Sequence, residues 1–161
     1  MRAWPDPVER VSAFLREAAA EARLEEFRAG TPTARAAADA LGCELRRIVK
    51  SLVFVCDGRF VLAMVPGDHR ADAAKVAAAA GAAHAEIVGA EQVEEVTGFA
   101  PGAVAPFPLP RIDRAFLDRS LLAHDLVWVG AGSPRHMAGL APTELVRLAR
   151  AETLDLVEDD G

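Results

Sequence analysis

The chain has 161 residues with a formal net charge of −6, and 52% of its residues are hydrophobic. The length predicts a single domain spanning residues 1–161 with a core of its own, and the hydrophobic content excludes a disordered chain. The acidic balance argues against binding of nucleic acid through a broad basic face, although it permits a small basic patch on an acidic body.

The cysteines and the N-terminal sequence favour a cytoplasmic protein. Cys43 and Cys56 are the only two cysteines and form no CxxC motif, which is typical of free thiols in a reducing compartment. The first residues lack the apolar core of a signal peptide, and no apolar run approaches membrane-spanning length. We therefore expect localisation in the cytoplasm and no contact with a membrane.

Apolar periodicity and turn signals predict six features in the N-terminal half. The Asp57-Gly58 pair is typical of a tight β-hairpin turn between two apolar strands. In chain order the features are a helix over 7–22, a strand over 24–27, a helix from 33 that stops at Gly42, a strand over 48–56, the hairpin turn and a return strand over 59–65.

The C-terminal half alternates short helices and short strands without a regular βαβ rhythm. This pattern predicts an α+β domain with a mixed or antiparallel sheet. The predicted elements are helices over 72–80 and 90–97 that stop at Gly81 and Gly98, a strand over 85–88, a Gly- and Pro-rich loop over 98–108, strands over 112–117 and 126–129 around a helical turn at 120–124, a tight loop at 130–134, a helix over 143–149, a strand over 154–157 and a frayed tail at 159–161.

Lys50 is the most informative single residue. It interrupts the apolar run 48–56, and Lys75 is the only other lysine in a chain that otherwise uses arginine. Lysine is seldom buried without a partner, and its ammonium is more compact than a guanidinium. The position therefore predicts a small site for a carbonyl or phosphate oxygen. The alternative interpretation is a lysine that snorkels to water at a strand end.

The remaining polar residues predict neither a metal site nor a cofactor. The four histidines have no metal-ligand spacing, and the chain contains neither a P-loop nor a complete dinucleotide fingerprint. Ser133 lacks the flanking glycines of a GxSxG nucleophile, so the 130–134 segment is better suited to offering backbone N–H groups. His136, beside that segment, is more typical of a surface histidine than of a catalytic one.

Three segments in this order and spacing resemble the YbaK-type family of aminoacyl-tRNA deacylases. They are residues 36–42 followed by the lysine strand 48–54, the loop 102–107 and the turn 130–133. The family consists of free-standing relatives of the editing domain in bacterial prolyl-tRNA synthetases, and the resemblance covers a core of about residues 8–148. It implies one α+β domain whose mixed, mostly antiparallel sheet curls into a partly closed barrel surrounded by helices.

The resemblance also implies an activity, a site and partners. The activity is hydrolysis of mischarged aminoacyl-tRNA, chiefly a tRNA for proline carrying a small amino acid such as alanine or cysteine. The partners are the acceptor end of that tRNA and, as a further candidate, prolyl-tRNA synthetase; no cofactor or metal is implied. The implied site has Lys50 as its catalytic residue and Ser51, Gly102, Ala103, Val104, Pro106, Gly132 and Ser133 as substrate-binding residues, with Gly102 and Pro106 forming the GxxxP motif.

Two other functions stay open from the sequence. One is a non-enzymatic module that binds tRNA or a synthetase, with Arg46, Arg47 and Lys50 holding the tRNA end. The other is a hydrolase of small-molecule amides or esters. Because an aminoacyl ester is already activated, its hydrolysis needs an oriented ester, a positioned water and a stabilised oxyanion rather than a nucleophilic triad.

Overall fold

The computed structural model describes residues 4–31 and 33–159. No helix in this part of the chain is both long and apolar enough to span a bilayer. The described residues form five α-helices, α1 (Asp6–Glu17), α2 (Ala34–Leu41), α3 (Ala73–Ala80), α4 (Ala90–Thr97) and α5 (Pro142–Ala149), two 3-10 helices, Leu45–Arg47 and Arg119–Ala123, and eight strands, β1 (Ala22–Glu26), β2 (Val49–Cys56), β3 (Arg59–Pro66), β4 (Ala85–Ile87), β5 (Arg114–Asp118), β6 (Val127–Ser133), β7 (His136–Leu140) and β8 (Ala151–Leu154).

The strands form two sheets. The smaller is antiparallel with the order β1-β7-β6, and the larger has the order β4-β2-β3-β5-β8. In the larger sheet β2 pairs antiparallel with β3 and β4, whereas β3, β5 and β8 are parallel. The prediction of an α+β domain with mostly antiparallel strands is confirmed.

The expected single sheet curled into a partly closed barrel is wrong, because the two sheets stay open. One isolated bridge, between Ile48 and Trp128, connects β6 to the start of β2 among the described residues. Beyond that bridge the loop before β5 lies against β6, and the Gly132 N–H donates to the Ala103 carbonyl at 3.1 Å. Loop backbone therefore occupies the place where a closed barrel would need a β2–β6 ladder.

The β2–β3 hairpin is confirmed, and its turn explains its register. Asp57 and Gly58 have φ values of 50° and 84°, the left-handed pair that a two-residue turn of type I′ requires. With that turn in place, residues 49–56 pair with residues 59–66 without a break. The turn thus fixes which side chains of β2 share a face.

Several predicted boundaries differ from the structure. The first helix ends at Glu17 instead of residue 22, because Ala19 takes a φ of 50° and the chain then turns into β1. The last strand, β8, starts at Ala151, ahead of the predicted 154–157 segment. Of the predicted frayed tail, Asp159 accepts a hydrogen bond from Lys75 Nζ at 2.8 Å, and residues 160–161 lie outside the described residues.

The largest difference concerns the segment that was expected to be a tight loop at 130–134. β6 continues through this segment to Ser133, with a register shift between Gly130 and Ser133. β7 then pairs with both β6 and β1, although no strand was predicted there. Glycine and alanine have low strand propensity, so sequence patterning missed a hairpin that tertiary pairing stabilises.

Three apolar clusters form the core. The largest lies between the sheets and α1 and includes Leu62, Phe99 and Phe107. A second lies beneath α3 around Phe116. The third is small, packs α2 onto β6 and β7, and contains Ala37, Ala38, Ile48, Trp128 and Met137. This third cluster borders the cavity described next.

Candidate active site

A cavity of about 330 Å³ opens where the first half of β2 faces α2 and the loop before β5. Most of its wall is apolar, with a few hydroxyl groups and a single lysine. The lining residues are Thr31, Thr33, Ala34, Ala37, Ile48, Val49, Lys50, Ser51, Leu52, Gly102, Val104, Gly130 and Met137. We refer to this space as the β2 cavity.

The outer edge of β2 faces this cavity because β4 covers only the other half of the strand. β4 pairs with residues 54–56, and the Val53 carbonyl accepts a hydrogen bond from Val88 N at 2.9 Å on the same side. In an antiparallel pair, inward and outward backbone groups alternate along the strand. The Ser51 N–H and C=O therefore point to the side of β2 away from β3, the side on which the cavity lies.

Lys50 lies in the cavity wall with its side chain partly buried. Its Nζ donates a hydrogen bond to the His69 carbonyl, and no carboxylate of the described residues forms an ion pair with it. Burial lowers the pKa of Lys50, the nearby Arg70 lowers it further, and Asp68 has a weaker opposing effect. The ammonium is thus held by a neutral carbonyl and keeps its charge uncompensated by a direct partner.

Ser51 carries the one buried polar side-chain atom without a hydrogen-bond partner among residues 4–31 and 33–159. Its Oγ has less than 1 Å² of exposed surface, although the residue as a whole is half-buried and borders the cavity. A buried hydroxyl without a partner is uncommon and costs about 1–3 kcal/mol.

The loop before β5 supplies the wall opposite β2. Gly102 has a φ of 80°, and both Gly102 and Val104 line the cavity. Ala103 is buried and instead anchors the loop, since its carbonyl accepts from Gly132 N. A Cβ built on Gly130 would lie 2.5 Å from the Val104 carbonyl oxygen, so only glycine permits this approach of β6 to the loop.

Four of the site residues expected from the sequence lie outside the cavity lining, namely Ala103, described above, and three others. Pro106 lines a separate groove beside Phe14 and Arg10. Gly132 faces the backbone of Pro7 at the start of α1, where a Cβ would lie 2.8 Å from the Pro7 carbonyl atoms. Ser133 is in the β6–β7 turn. The structure therefore brings Lys50, Ser51, Gly102 and Val104 together and uses the other expected residues to support the surrounding loops.

His136 is buried, with 4% of its surface exposed, so the interpretation as a surface histidine is wrong. Its Nδ1 lies 2.6 Å from Ser133 Oγ and its Nε2 lies 2.9 Å from Glu26 Oε2. Ser133 Oγ also accepts a hydrogen bond from Arg135 N at 3.0 Å. This array joins the β6–β7 turn to β1. His136 precedes Met137 on β7, and Met137 is the residue of that strand that lines the cavity.

Several cavity residues were not found from the sequence. Met137 was missed because β7 was missed. Thr33 was assigned only as a helix start, and its Oγ1 does accept from Ala36 N at 3.0 Å. Ala34 and Ala37 could have indicated this wall from the sequence. They lie one helical turn apart on α2, and two small residues on one face leave room beside a helix.

Fewer uncompensated cations surround the cavity than the sequence suggested. Arg46 pairs with Glu44 at 2.8 Å, and Arg47 pairs with Asp125 at 3.1 Å. Both arginines are therefore compensated by carboxylates. Lys50 remains as the cation that lines the cavity itself.

Comparison with known proteins decides the family. Residues 28–148 match the family described as the aminoacyl-tRNA editing domain. The chain belongs to the aminoacyl-tRNA editing domain family. The matched segment includes β2, the loop before β5 and β6, and so contains every residue that lines the β2 cavity. The resemblance to YbaK-type proteins is thereby confirmed, and membership supports a role in tRNA editing.

Relatives of this editing domain occur both within synthetases and as separate proteins. The proline–tRNA ligase of Xanthomonas oryzae pv. oryzae (strain MAFF 311018) is 34% identical over 137 residues, which are 83% of this chain but 24% of the ligase. The chain thus spans about a quarter of the length of that relative. The uncharacterized protein YwhH of Bacillus subtilis (strain 168) is 31% identical over 84% of this chain and 87% of its own length.

Solved structures show the same fold. A crystal structure described as a candidate trans-editing enzyme for prolyl-tRNA synthetase superposes with a TM-score of 0.90 at 35% identity, covering 98% of this chain and all of the other. The hypothetical protein APE2540 superposes with a TM-score of 0.87 at 30% identity, covering 92% of this chain and 99% of the other. Both matches extend over nearly the whole chain, so these proteins share the fold of this chain.

Proposed function

We propose that the chain is a trans-editing hydrolase that removes a small wrong amino acid, such as alanine or cysteine, from tRNA for proline. The observation that carries this proposal is the β2 cavity, where Lys50, which has no carboxylate partner among the described residues, lies beside apolar walls within the matched editing domain. The crystal structure described as a candidate trans-editing enzyme for prolyl-tRNA synthetase supports the choice of tRNA.

In the proposed reaction, water attacks the carbonyl carbon of the aminoacyl ester. The carbonyl oxygen becomes an oxyanion, and when the carbonyl reforms the bond to the ribose oxygen breaks. That oxygen takes a proton from the attacking water and leaves as the free tRNA hydroxyl, while the amino acid leaves as its carboxylate and the second water proton passes to solvent. Lys50 acts as the catalytic cation that stabilises the developing oxyanion, and the backbone groups of Ser51, Gly102 and Val104 orient the ester. Fixed donors of this kind act on charge that develops in the transition state.

Selection in this proposal is by size and polarity. Ala34, Ala37, Ile48, Leu52 and Met137 give the cavity an apolar wall. Charged side chains would lose hydration there without a partner, and we propose that α2 limits the room left for the side chain once the ester and its ribose are bound. Synthetases reject smaller substrates poorly, because one methylene changes binding by only about 1–3 kcal/mol. A separate cavity that accepts only small residues corrects those errors.

The proposed mechanism is independent of metal. Among the described residues, no three His, Cys, Asp or Glu side chains group closely enough to hold a metal ion. The acceptor end of mischarged tRNA is the proposed macromolecular partner, prolyl-tRNA synthetase is a further candidate, and translation in the cytoplasm is the proposed setting.

The deciding experiment measures release of labelled alanine from a proline tRNA charged with alanine, in the presence of EDTA. We expect hydrolysis by the wild-type protein and at least a 100-fold loss in Lys50→Ala. Hydrolysis of alanine methyl ester at a comparable kcat/KM would instead favour a small-molecule esterase. Tight tRNA binding without hydrolysis would favour the non-enzymatic module. Loss of hydrolysis in EDTA, restored by zinc, would refute the metal-free mechanism.

A further inference from the structure

We infer that Arg70 binds a backbone phosphate at the acceptor end of the tRNA, next to the ester that Lys50 contacts. This inference rests on the proposed function and names a tRNA contact outside the β2 cavity. Lys50 Nζ donates to the carbonyl of His69, and Arg70 is the next residue along the chain. The segment that follows β3 therefore carries a second cation close to the proposed catalytic one.

Residues 67–72, which we call the β3–α3 loop, are fixed by backbone hydrogen bonds on two sides. At one end Gly67 N donates to the Ile48 carbonyl at 2.7 Å, just before β2. At Arg70 the backbone carbonyl accepts from Glu158 N at 2.8 Å, in the C-terminal segment. The Arg70 side chain thus extends from a backbone position that the protein holds without RNA.

The guanidinium of Arg70 is exposed and forms no side-chain hydrogen bond or ion pair with a described residue. Both acids of the β3–α3 loop bond elsewhere. Asp68 Oδ1 lies 2.8 Å from His69 Nδ1, and Asp72 Oδ1 accepts from backbone N–H groups at the start of α3. The charge of Arg70 also lowers the pKa of Lys50, so the two cations lie near enough to repel each other. A bound anion would relieve that repulsion.

The chemistry of the substrate identifies that anion as a phosphate. The ester carries no negative charge and the α-amino group is cationic, so the anionic groups near the ester are the backbone phosphates. With the ester at Lys50, the phosphate that joins the terminal nucleotide to the one before it lies one ribose away, outside the cavity. Arg70 is likewise absent from the cavity lining. A guanidinium suits this role, because it donates two parallel hydrogen bonds to phosphate oxygens.

The test compares the wild type with Arg70→Gln and Arg150→Gln. Arg150 is a matched control, because it is also exposed, forms no side-chain hydrogen bond or ion pair with a described residue, and lines the separate groove that contains Pro106. Filter binding gives the Kd of uncharged proline tRNA at several salt concentrations. Deacylation kinetics use proline tRNA charged with alanine and, in parallel, alanyladenosine, which carries the same ester on a ribose without any phosphate.

Arg70→Gln should raise both the Kd for tRNA and the KM for the charged tRNA by about 5- to 20-fold, because one charge-assisted contact is lost. The kcat should not change, since the phosphate contact is the same in the ground state and in the transition state. The slope of log Kd against log salt should fall by about one. Hydrolysis of alanyladenosine at neutral pH and the Tm should both match the wild type.

Weaker tRNA binding with a smaller salt slope in Arg70→Gln, and not in Arg150→Gln, supports the inference. Wild-type affinity in Arg70→Gln overturns it. An equal loss on alanyladenosine also overturns it, because Arg70 would then act on Lys50 or the ester and not on a phosphate. An equal loss of affinity in both variants does the same, since any surface charge would then suffice. If the wild type hydrolyses neither ester, the proposed function fails, whereas the binding comparison still decides whether Arg70 contacts a phosphate.

Discussion

Replacing Lys50 with arginine distinguishes two interpretations of this residue, a cation in a compact site and a lysine whose ammonium only reaches water. Lys50→Arg keeps the positive charge, but a guanidinium is wider and fixes its donors in a plane. In the structure Lys50 lines the cavity and its Nζ donates to the His69 carbonyl, and the nearby charge of Arg70 already lowers the pKa of Lys50. A guanidinium at this position would meet the like charge of Arg70 with its donors fixed in a plane, so we expect Lys50→Arg to be nearly as inactive as Lys50→Ala.

The expected loss follows from the partly buried setting of Lys50. Two unit charges about 4 Å apart interact by about 4 kcal/mol at an effective dielectric constant of about 20, which suits a group between water and the interior. Because about 1.4 kcal/mol corresponds to a factor of ten in rate, a lost contact with a fully developed oxyanion costs up to about 1,000-fold. Partial charge development places the expected loss between about 100- and 1,000-fold.

The assay is single-turnover deacylation of mischarged proline tRNA, with thermal unfolding measured on the same proteins. Arg35→Ala is the control, because Arg35 is an exposed cation on α2 outside the cavity lining. It removes one positive charge near the cavity and should retain wild-type turnover. Near-normal turnover in Lys50→Arg would refute the compact site and restore the interpretation of Lys50 as a lysine that snorkels to water.

Four other outcomes are expected. Deacylation, corrected for spontaneous hydrolysis, should decline with rising pH before the ordinary pKa of lysine is reached, because the pKa of Lys50 is lowered and its charge is lost earlier. The same alkaline decline in Lys50→Ala would contradict this. Gly130→Ala should lose activity and about 1–3 kcal/mol of stability, since its Cβ would lie 2.5 Å from the Val104 oxygen, whereas Gly89→Ala, with open space around it, should retain activity. Lys75→Ala should lower Tm without altering turnover, since Lys75 Nζ donates to Asp155, Asp159 and the Val157 carbonyl, and an unchanged Tm would show that these bonds contribute nothing. The affinity for tRNA should fall only shallowly with salt, corresponding to about one to three phosphate contacts, and a steep slope measured by filter binding would indicate an extended basic surface instead.

The hydrogen-bonded array of Ser133, His136 and Glu26 at the β6–β7 turn shows that residue type alone does not predict burial. His136 lies beside a glycine-rich segment, and it was predicted to be a surface histidine because histidines are more often found on the surface than in catalytic roles. Its burial depends on β1 pairing with β7, which brings Glu26 opposite His136 although they are 110 residues apart. No local pattern encodes that contact, so only the tertiary structure reveals it.

The sequence by itself determined the elements whose signals are local. The hairpin turn at Asp57-Gly58, the end of α2 at Gly42 and the bounds of α4 follow from backbone preferences that act within a few residues. The unusual lysine in an apolar strand and the GxxxP loop likewise indicated the family, because each is visible as a short pattern.

The tertiary structure decided which of those residues meet. Long-range pairing with β1 stabilises β7 and, through it, the hairpin with β6 despite the small residues of these strands, and the loop before β5 lies against β6. As a consequence Lys50, Ser51, Gly102 and Val104 share one cavity, whereas Pro106, Gly132 and Ser133 support the loops around it. The sequence also could not predict that the Ser51 hydroxyl is buried without a hydrogen-bond partner among the described residues. Burial and hydrogen bonding depend on packing, which the order of residues alone does not show.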